Sequence, residues 1–187
     1  MTLPWDDPSR PVLGMSLDSG RPCLDLLNTL RPAIPSAQAR TATSLDLISA
    51  YEDILALAVR TAILPAAEAD SLQAWAGREP AAGKDAQGRI LEFRALLRRL
   101  LVTIARKHPP TARDLAVFEE LRSAARSFEV LVWEDDRYRL RPRYMTEGLS
   151  APLHAFVRDA DELLRSPDFA RIRTVRINSP EARFVLG

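Results

Sequence analysis

Side chains that bind metals or form disulfides are scarce in this sequence. Its 187 residues include one cysteine, Cys23, and two histidines, His108 and His154, which lie far apart. One cysteine excludes an internal disulfide, and a structural zinc site needs about four cysteine or histidine ligands. We therefore expect no metal ion, no other cofactor and no disulfide framework.

An excess of charge of one sign and long apolar runs are also missing. The 26 basic residues are balanced by 25 acidic ones, so the chain lacks the positive field typical of nucleic-acid-binding domains. No apolar stretch reaches the roughly 18 residues that span a membrane. The first ten residues lack the basic and apolar regions of a signal peptide. These absences favour a cytoplasmic protein that does not bind a membrane.

The sequence does contain enough apolar residues for a core, since hydrophobic residues make up 47% and charged residues 27% of the chain. Apolar residues recur at helical spacing in six segments, which we predict to be helices. Their approximate bounds are 23–30, 47–63, 65–76, 90–106, 111–125 and 147–165. Thr43 or Ser44 is expected to cap the second helix. The stretch GREPAAGKDAQG is expected to be a linker.

Residues 128–145 change to strict alternation, which predicts a β-hairpin with its turn at residues 134–136. Phe128, Val130 and Val132 are expected to share one face, and Tyr138 and Leu140 to return on it. The fold class is therefore α+β and predominantly α-helical, with one β-hairpin. We expect one domain at residues 1–167 and a short C-terminal extension at residues 168–187.

Three polar residues interrupt the apolar stretch CLDLLNTL. On a helix, Asp25, Asn28 and Thr29 share one face. A buried polar group without a partner costs about 1–3 kcal/mol, so these side chains need partners. They are either the wall of a site for a small polar ligand, or ties that hold the helix to nearby backbone.

Arg94 flanks the apolar stripe of the strongest predicted helix. A buried guanidinium needs a carboxylate, and Asp25 is the expected partner. The pair is either structural or half of a site for an anionic ligand.

The C-terminal tail alternates basic and apolar residues. Its arginines could contact nucleic-acid phosphates weakly, or they form the solvated face of an edge strand. These four residues are Arg171, Arg173, Arg176 and Arg183.

Candidate catalytic residues are few, so we expect no enzyme. No Ser-His-acid or Cys-His arrangement is evident. His108 follows the end of a helix, and His154 is expected at the boundary between the core and solvent. The acidic residues Asp159, Asp161 and Glu162 are interpreted as a solvated helix face.

Four stretches in order resemble the ABATE domain of the CGNR zinc-finger proteins. CLDLLNTL is similar to that family's LDFVNTL opening, and the likeness continues through SLDLISAYEDILALAVRTAIL. It extends through ILEFRALLRRLLVTIARKHPPTARDLAVFEEL to LHAFVRDADELLRSPDFARIRTV, covering most of residues 20–175. Asp25, Asn28 and Thr29 match the opening motif, and Arg94 matches an arginine of the third stretch.

The resemblance implies a helical domain that binds a small ligand, followed by a treble-clef-like zinc finger that ends in CGNR. Members are regarded as stress-responsive transcription regulators in bacteria. Here the positions of the first zinc ligands fall near Val175 and Pro180, and the chain ends at Gly187, before the second ligand pair. Residues 168–187 are therefore expected to be a remnant of the finger without its cysteines. Leu57 and Ile63 also replace a tryptophan and a glycine of the family.

The resulting hypothesis is the sensor domain of a transcription regulator, binding an unknown small molecule without its own zinc-dependent reading of DNA. Expected protein partners are a second copy of the chain or another regulator. The alternatives are a regulator that binds DNA through the basic tail and, less favoured, a small enzyme.

Overall fold

A computed structural model describes residues 9–31, 45–175 and 183–186 of the chain. Within these ranges the chain forms seven α-helices. They are α1 (Pro22–Asn28), α2 (Tyr51–Arg60), α3 (Ala66–Arg78), α4 (Pro80–Ala105), α5 (Ala112–Ser127), α6 (Tyr144–Glu147) and α7 (Ala151–Arg165). Six strands pair in three antiparallel two-stranded sheets. They are β1 (Leu30–Arg31) with β2 (Leu45–Asp46), β3 (Glu129–Glu134) with β4 (Arg137–Pro142), and β5 (Ile172–Val175) with β6 (Arg183–Leu186). The predicted class, predominantly helical α+β, is confirmed.

Helix α4 lies at the centre of the core. Its apolar stripe includes Ile90, Phe93 and Leu97, each no more than 1% exposed. Helices α1, α2, α3, α5 and α7 all pack against it. No helix in the described ranges is long and apolar enough to cross a membrane.

The predicted linker GREPAAGKDAQG is wrong, because most of it forms the first turns of α4. Pro80 occupies the first helical position, where its missing N–H costs nothing. A Cβ added at Gly83 would lie 3.1 Å from the Cβ of Ala76, so glycine permits α3 and α4 to pack closely.

Helix α2 begins at Tyr51, four residues later than predicted, because Asp53 fixes its start. The Asp53 carboxylate accepts the backbone N–H groups of Ser49 and Ala50 at 2.8 and 2.9 Å. This arrangement satisfies backbone donors at the helix N-terminus. The alternative caps, Thr43 and Ser44, lie outside the described residues. The predicted helix 147–165 is also interrupted, since Gly148 adopts φ 59° between α6 and α7.

The predicted hairpin is confirmed as β3–β4, but the assignment of its faces is wrong. The register pairs Leu131 with Leu140 and Trp133 with Tyr138. Paired residues lie on the same side of a sheet. Tyr138 and Leu140 therefore share a face with Leu131 and Trp133, opposite Val130 and Val132.

The C-terminal extension forms a second hairpin, β5–β6, which packs on α1. Phe184 of β6 is 2% exposed and belongs to the same hydrophobic core as the helices. The extension thus brings residues near the C-terminus against the opening motif.

Candidate functional site

The short helix α1 carries the opening motif and is buried on every side. Pro22 occupies its first turn, and its residues from Cys23 to Asn28 are all buried. The helix ends at Thr29, whose hydroxyl donates to the Leu26 carbonyl at 2.6 Å. We call Asp25, Asn28, Thr29 and Arg94 the opening-motif cluster. All four are less than 8% exposed, so the polar residues identified as candidates in the sequence lie in the protein interior.

Arg94 binds Asp46, and the expected pairing with Asp25 is wrong. Two guanidinium nitrogens donate to the two Asp46 carboxylate oxygens at 2.8 and 2.5 Å. One of them also donates to the Thr29 hydroxyl at 2.7 Å. The cause is the β1–β2 pairing, which sets Leu30 opposite Asp46 and so brings that carboxylate beside the end of α1. A two-pronged ion pair satisfies the buried guanidinium with good geometry.

Asp25 lies one turn earlier on α1 and faces Ser19 instead of Arg94. Burial raises the pKa of its carboxyl, and hydrogen bonds with the Ser19 side chain and backbone act in the opposite direction. The residue is 4% exposed, and its Oδ1 atom has no hydrogen-bond partner among the described residues. Buried oxygens are nearly always hydrogen-bonded, so this atom has an unused capacity to accept a proton donor.

Asn28 binds the C-terminal strand through both ends of its amide. Its Nδ2 donates to the Phe184 carbonyl at 3.0 Å, and its Oδ1 accepts the Phe184 N–H at 2.9 Å. The side chain therefore pairs with the backbone of β6 as a neighbouring strand would. This contact joins positions 156 residues apart in the chain.

The four arginines of the tail are only partly described. Arg171 is exposed and donates to Asp168 at 2.8 Å. Residues 173 and 183 lie in β5 and β6, where they are paired with Val185 and Val175. This register sets both positions on the face opposite Phe184. Arg176 lies outside the described residues.

Two buried polar clusters on α7 were not predicted. His154 is 4% exposed, which corrects its expected boundary position. Its Nδ1 lies 2.9 Å from Glu147, and Arg158 donates to the same carboxylate at 3.2 Å. The ring of His154 stacks on Phe128. The expected solvated face at Asp159, Asp161 and Glu162 is wrong for Asp161, which is buried, whereas Glu162 is exposed.

Asp161 is 5% exposed and binds Arg126 at 2.6 Å and Arg165 at 3.0 Å. Burial alone would raise the pKa of its carboxyl, but the two arginines hold that pKa below its usual value. The spacing of four residues between Asp161 and Arg165 was the one sequence signal for this cluster.

An open groove of about 450 Å³ lies between α7, the end of α2 and the base of the β3–β4 hairpin. Both polar and apolar side chains line it. Its walls include Arg126, Arg158, Asp161, Ile63, Tyr144 and Leu140. The arginines and Asp161 are held by the ion pairs above, so the groove has a fixed polar wall.

The resemblance places the first zinc ligands near Val175, which lies in β5, and near Pro180, which lies outside the described residues. The single cysteine, Cys23, is buried in α1. In the described ranges, no three or more histidine, cysteine, aspartate or glutamate side chains are grouped as metal ligands.

A family model named ABATE, with the description "Putative stress-induced transcription regulator", matches residues 20–167. The match includes α1 to α7 and the whole opening-motif cluster. No curated protein and no solved structure matches the chain.

Proposed function

The chain belongs to the ABATE family, and we propose that it is the sensing domain of a transcription regulator, with the opening-motif cluster as the site for a small polar ligand. The family description supports the regulatory role. The structure supports the site through one observation in particular, the buried Asp25 carboxylate, one oxygen of which has no partner within the part of the chain that the structure describes.

The chemistry of the cluster defines the ligand class. Asp25 offers a hydrogen-bond acceptor, so the ligand needs an N–H or O–H group. Arg94 is already satisfied by Asp46 and Thr29, so it holds the site in shape while its charge is balanced by Asp46. A small molecule with an amine, amide or hydroxyl group fits these groups.

Asn28 connects this site to the C-terminal strand. Its amide is fully used by the Phe184 backbone, so a ligand can bind Asn28 only when that strand is released. Ligand binding would then change the position of residues 183–186. This exchange is a direct physical route from a small molecule to the segment that follows the domain.

A thermal-shift screen against a panel of polar metabolites tests the proposal. A ligand at 100 times its Kd stabilises a native protein by about 2.7 kcal/mol, or roughly 5–11 °C for a chain of this size. We expect this shift in the wild type and its loss in Asp25→Leu, which removes the acceptor oxygens, and in Arg94→Lys. The matched control is Asp161→Leu, which removes a buried carboxylate outside the cluster.

Two results would count against the cluster as a ligand site. One is an equal shift in the wild type and in both cluster variants, which would put the ligand elsewhere. The other is a panel without any stabilising ligand, together with variants that simply melt earlier. The opening motif would then be structural only.

A second function, weak DNA binding through the tail, is favoured by the register of β5–β6. Positions 173 and 183 share the face opposite the buried Phe184. A variant with alanine at positions 171, 173, 176 and 183 keeps the apolar positions of the hairpin. Binding to a DNA duplex at low salt that disappears in this variant would support this function. No binding by the wild type would exclude it.

A further inference from the structure

One face of the β3–β4 hairpin is apolar and exposed. Leu131, Trp133, Tyr138 and Leu140 are 62%, 61%, 69% and 56% exposed and lie side by side through the pairing of the two strands. We call these four residues the hairpin face. They present roughly 500 Å² of apolar surface, at the upper end of the patches found on monomeric proteins.

In the described part of the chain, few contacts hold this hairpin to the helices. Its strands pack mainly against each other in the described part of the chain, and the hairpin projects from the helices. The rings of Trp133 and Tyr138 meet edge to face, 4.9 Å apart. An isolated two-stranded ribbon is marginally stable in water, whereas packing of an apolar face against another surface stabilises it. We therefore expect another protein surface to cover the hairpin face when the protein functions.

The groove at the base of the hairpin continues this face. Leu140 belongs to both, and Glu129 and Pro142, which are paired on the same side of the ribbon, line the groove. A cavity of roughly 150 Å³ holds one benzene ring. The groove, at about 450 Å³, has room for two aromatic rings.

We propose that the hairpin face binds a second copy of this chain, with Trp133 and Tyr138 of each copy in the groove of the other. The pair at the tip and the pair at the base each lie two residues from the central Leu131–Leu140 pair. Consider a two-fold axis that passes through this central pair, in the plane of the interface and perpendicular to the strands. It places the tip of one copy against the base of the other. Such an interface is closed and uses the same surface twice.

The net charge of the hairpin does not oppose this arrangement. Residues 129–143 contain four acidic and four basic side chains, so two copies do not repel each other through net charge.

The area available defines the expected strength. The face and the walls of the groove together supply about 500–600 Å² from each copy, which is the low end of specific interfaces. We therefore expect dissociation in the micromolar range, roughly 1–100 µM. This interface is separate from the ligand site on α1, and its test does not depend on a ligand.

Sedimentation of the full chain over roughly 1–300 µM measures the dimer directly. We expect a dimer in the wild type and at least about 30-fold weaker association in Trp133→Ser, as for an aromatic anchor buried in a pocket of its partner. The matched control is Leu115→Ser, which removes an apolar side chain that is 49% exposed on α5. It should associate like the wild type.

A second variant tests the other aromatic anchor. Tyr138→Ser, which removes the ring paired with Trp133, should also weaken the dimer. A wild type that stays monomeric at the highest concentration would overturn the proposal. The hairpin face would then be a binding surface for a different protein. A dimer that persists unchanged in Trp133→Ser would also overturn it.

Discussion

Replacing Asn28 by aspartate changes one atom of the contact between α1 and β6 and keeps its shape. The Nδ2 group that donates to the Phe184 carbonyl becomes an oxygen, while the oxygen that accepts the Phe184 N–H is kept. At neutral pH, Asn28→Asp therefore sets a charged oxygen against a carbonyl oxygen, at a site where the wild-type residue is 7% exposed.

The cost follows from the loss of one hydrogen bond and the burial of an unpaired charge. The first costs about 1 kcal/mol and the second exceeds the roughly 1–3 kcal/mol of an unsatisfied neutral group, so we expect a loss of at least about 2–4 kcal/mol at pH 7. For a chain of this size the melting temperature falls by roughly 4–16 °C. Detachment of β6 alone sets an upper limit to this loss, since the helical core can remain folded without it.

This loss should depend on pH with a definite sign. Burial beside a carbonyl raises the pKa of the introduced carboxyl above its unfolded value of about 3.9. Below that value the protonated carboxyl donates to the Phe184 carbonyl, and the variant approaches the wild type in stability. The stability is lost as the pH rises through the raised folded-state pKa.

Urea unfolding between about pH 4 and pH 8 measures this dependence, and hydrogen exchange of the Phe184 amide reports detachment of β6. Asn28→Leu is the matched control, because it removes both hydrogen bonds without adding a titratable group. Its loss should stay constant with pH relative to the wild type. A loss in Asn28→Asp that is absent, or equally constant with pH, would refute the role assigned to this amide.

Two further predictions concern groups elsewhere in the core. Burial alone would raise the pKa of Asp53, but hydrogen bonds from Arg10 and Ser49 lower it; its contribution to stability is therefore present above about pH 4 and lost as the pH falls through the depressed value. Asp53→Asn should reduce the unfolding free energy by about 1.5–3 kcal/mol at pH 7 and remove that acid dependence in urea titrations. Burial, and then the nearby Asp159 charge, raise the pKa of the Cys23 thiol well above its usual value. Native protein at pH 8 should therefore not react with an aromatic disulfide reagent that labels the unfolded chain fully, and rapid native labelling would contradict this burial.

The helices could be predicted because each buries one stripe of its own sequence, and the spacing of that stripe is local. The polar contacts could not be predicted, because their partners are distant in the chain. Arg94 finds Asp46, 48 residues earlier, only because β1 and β2 pair. The error over the start of α4 has a different cause, since glycine and proline usually indicate a loop but here permit close packing of two helices.

The faces of the β3–β4 hairpin show a second limit of local patterns. Alternation indicates that residues two apart share a side, but it does not connect the two strands. The register depends on the turn, and a shift of one residue moves every side chain of a strand to the other face. The observed two-residue turn at Asp135 and Asp136, both with positive φ, sets Leu140 opposite Leu131. The exposed apolar face could therefore be identified only from the register of the two strands.

The short length of α1 explains why the opening motif contains polar residues. A helix of seven residues has too few internal hydrogen bonds to be stable alone. Leucines bury it but do not fix its position along or around its axis, whereas hydrogen bonds do both. The Cys23 N–H binds the Asp159 carboxylate of α7 at 2.8 Å, while the Thr29 and Asn28 side chains bind α4 and β6. These bonds join α1 to α7, α4 and β6, so the polar groups of this short helix fix it against three other elements of the domain.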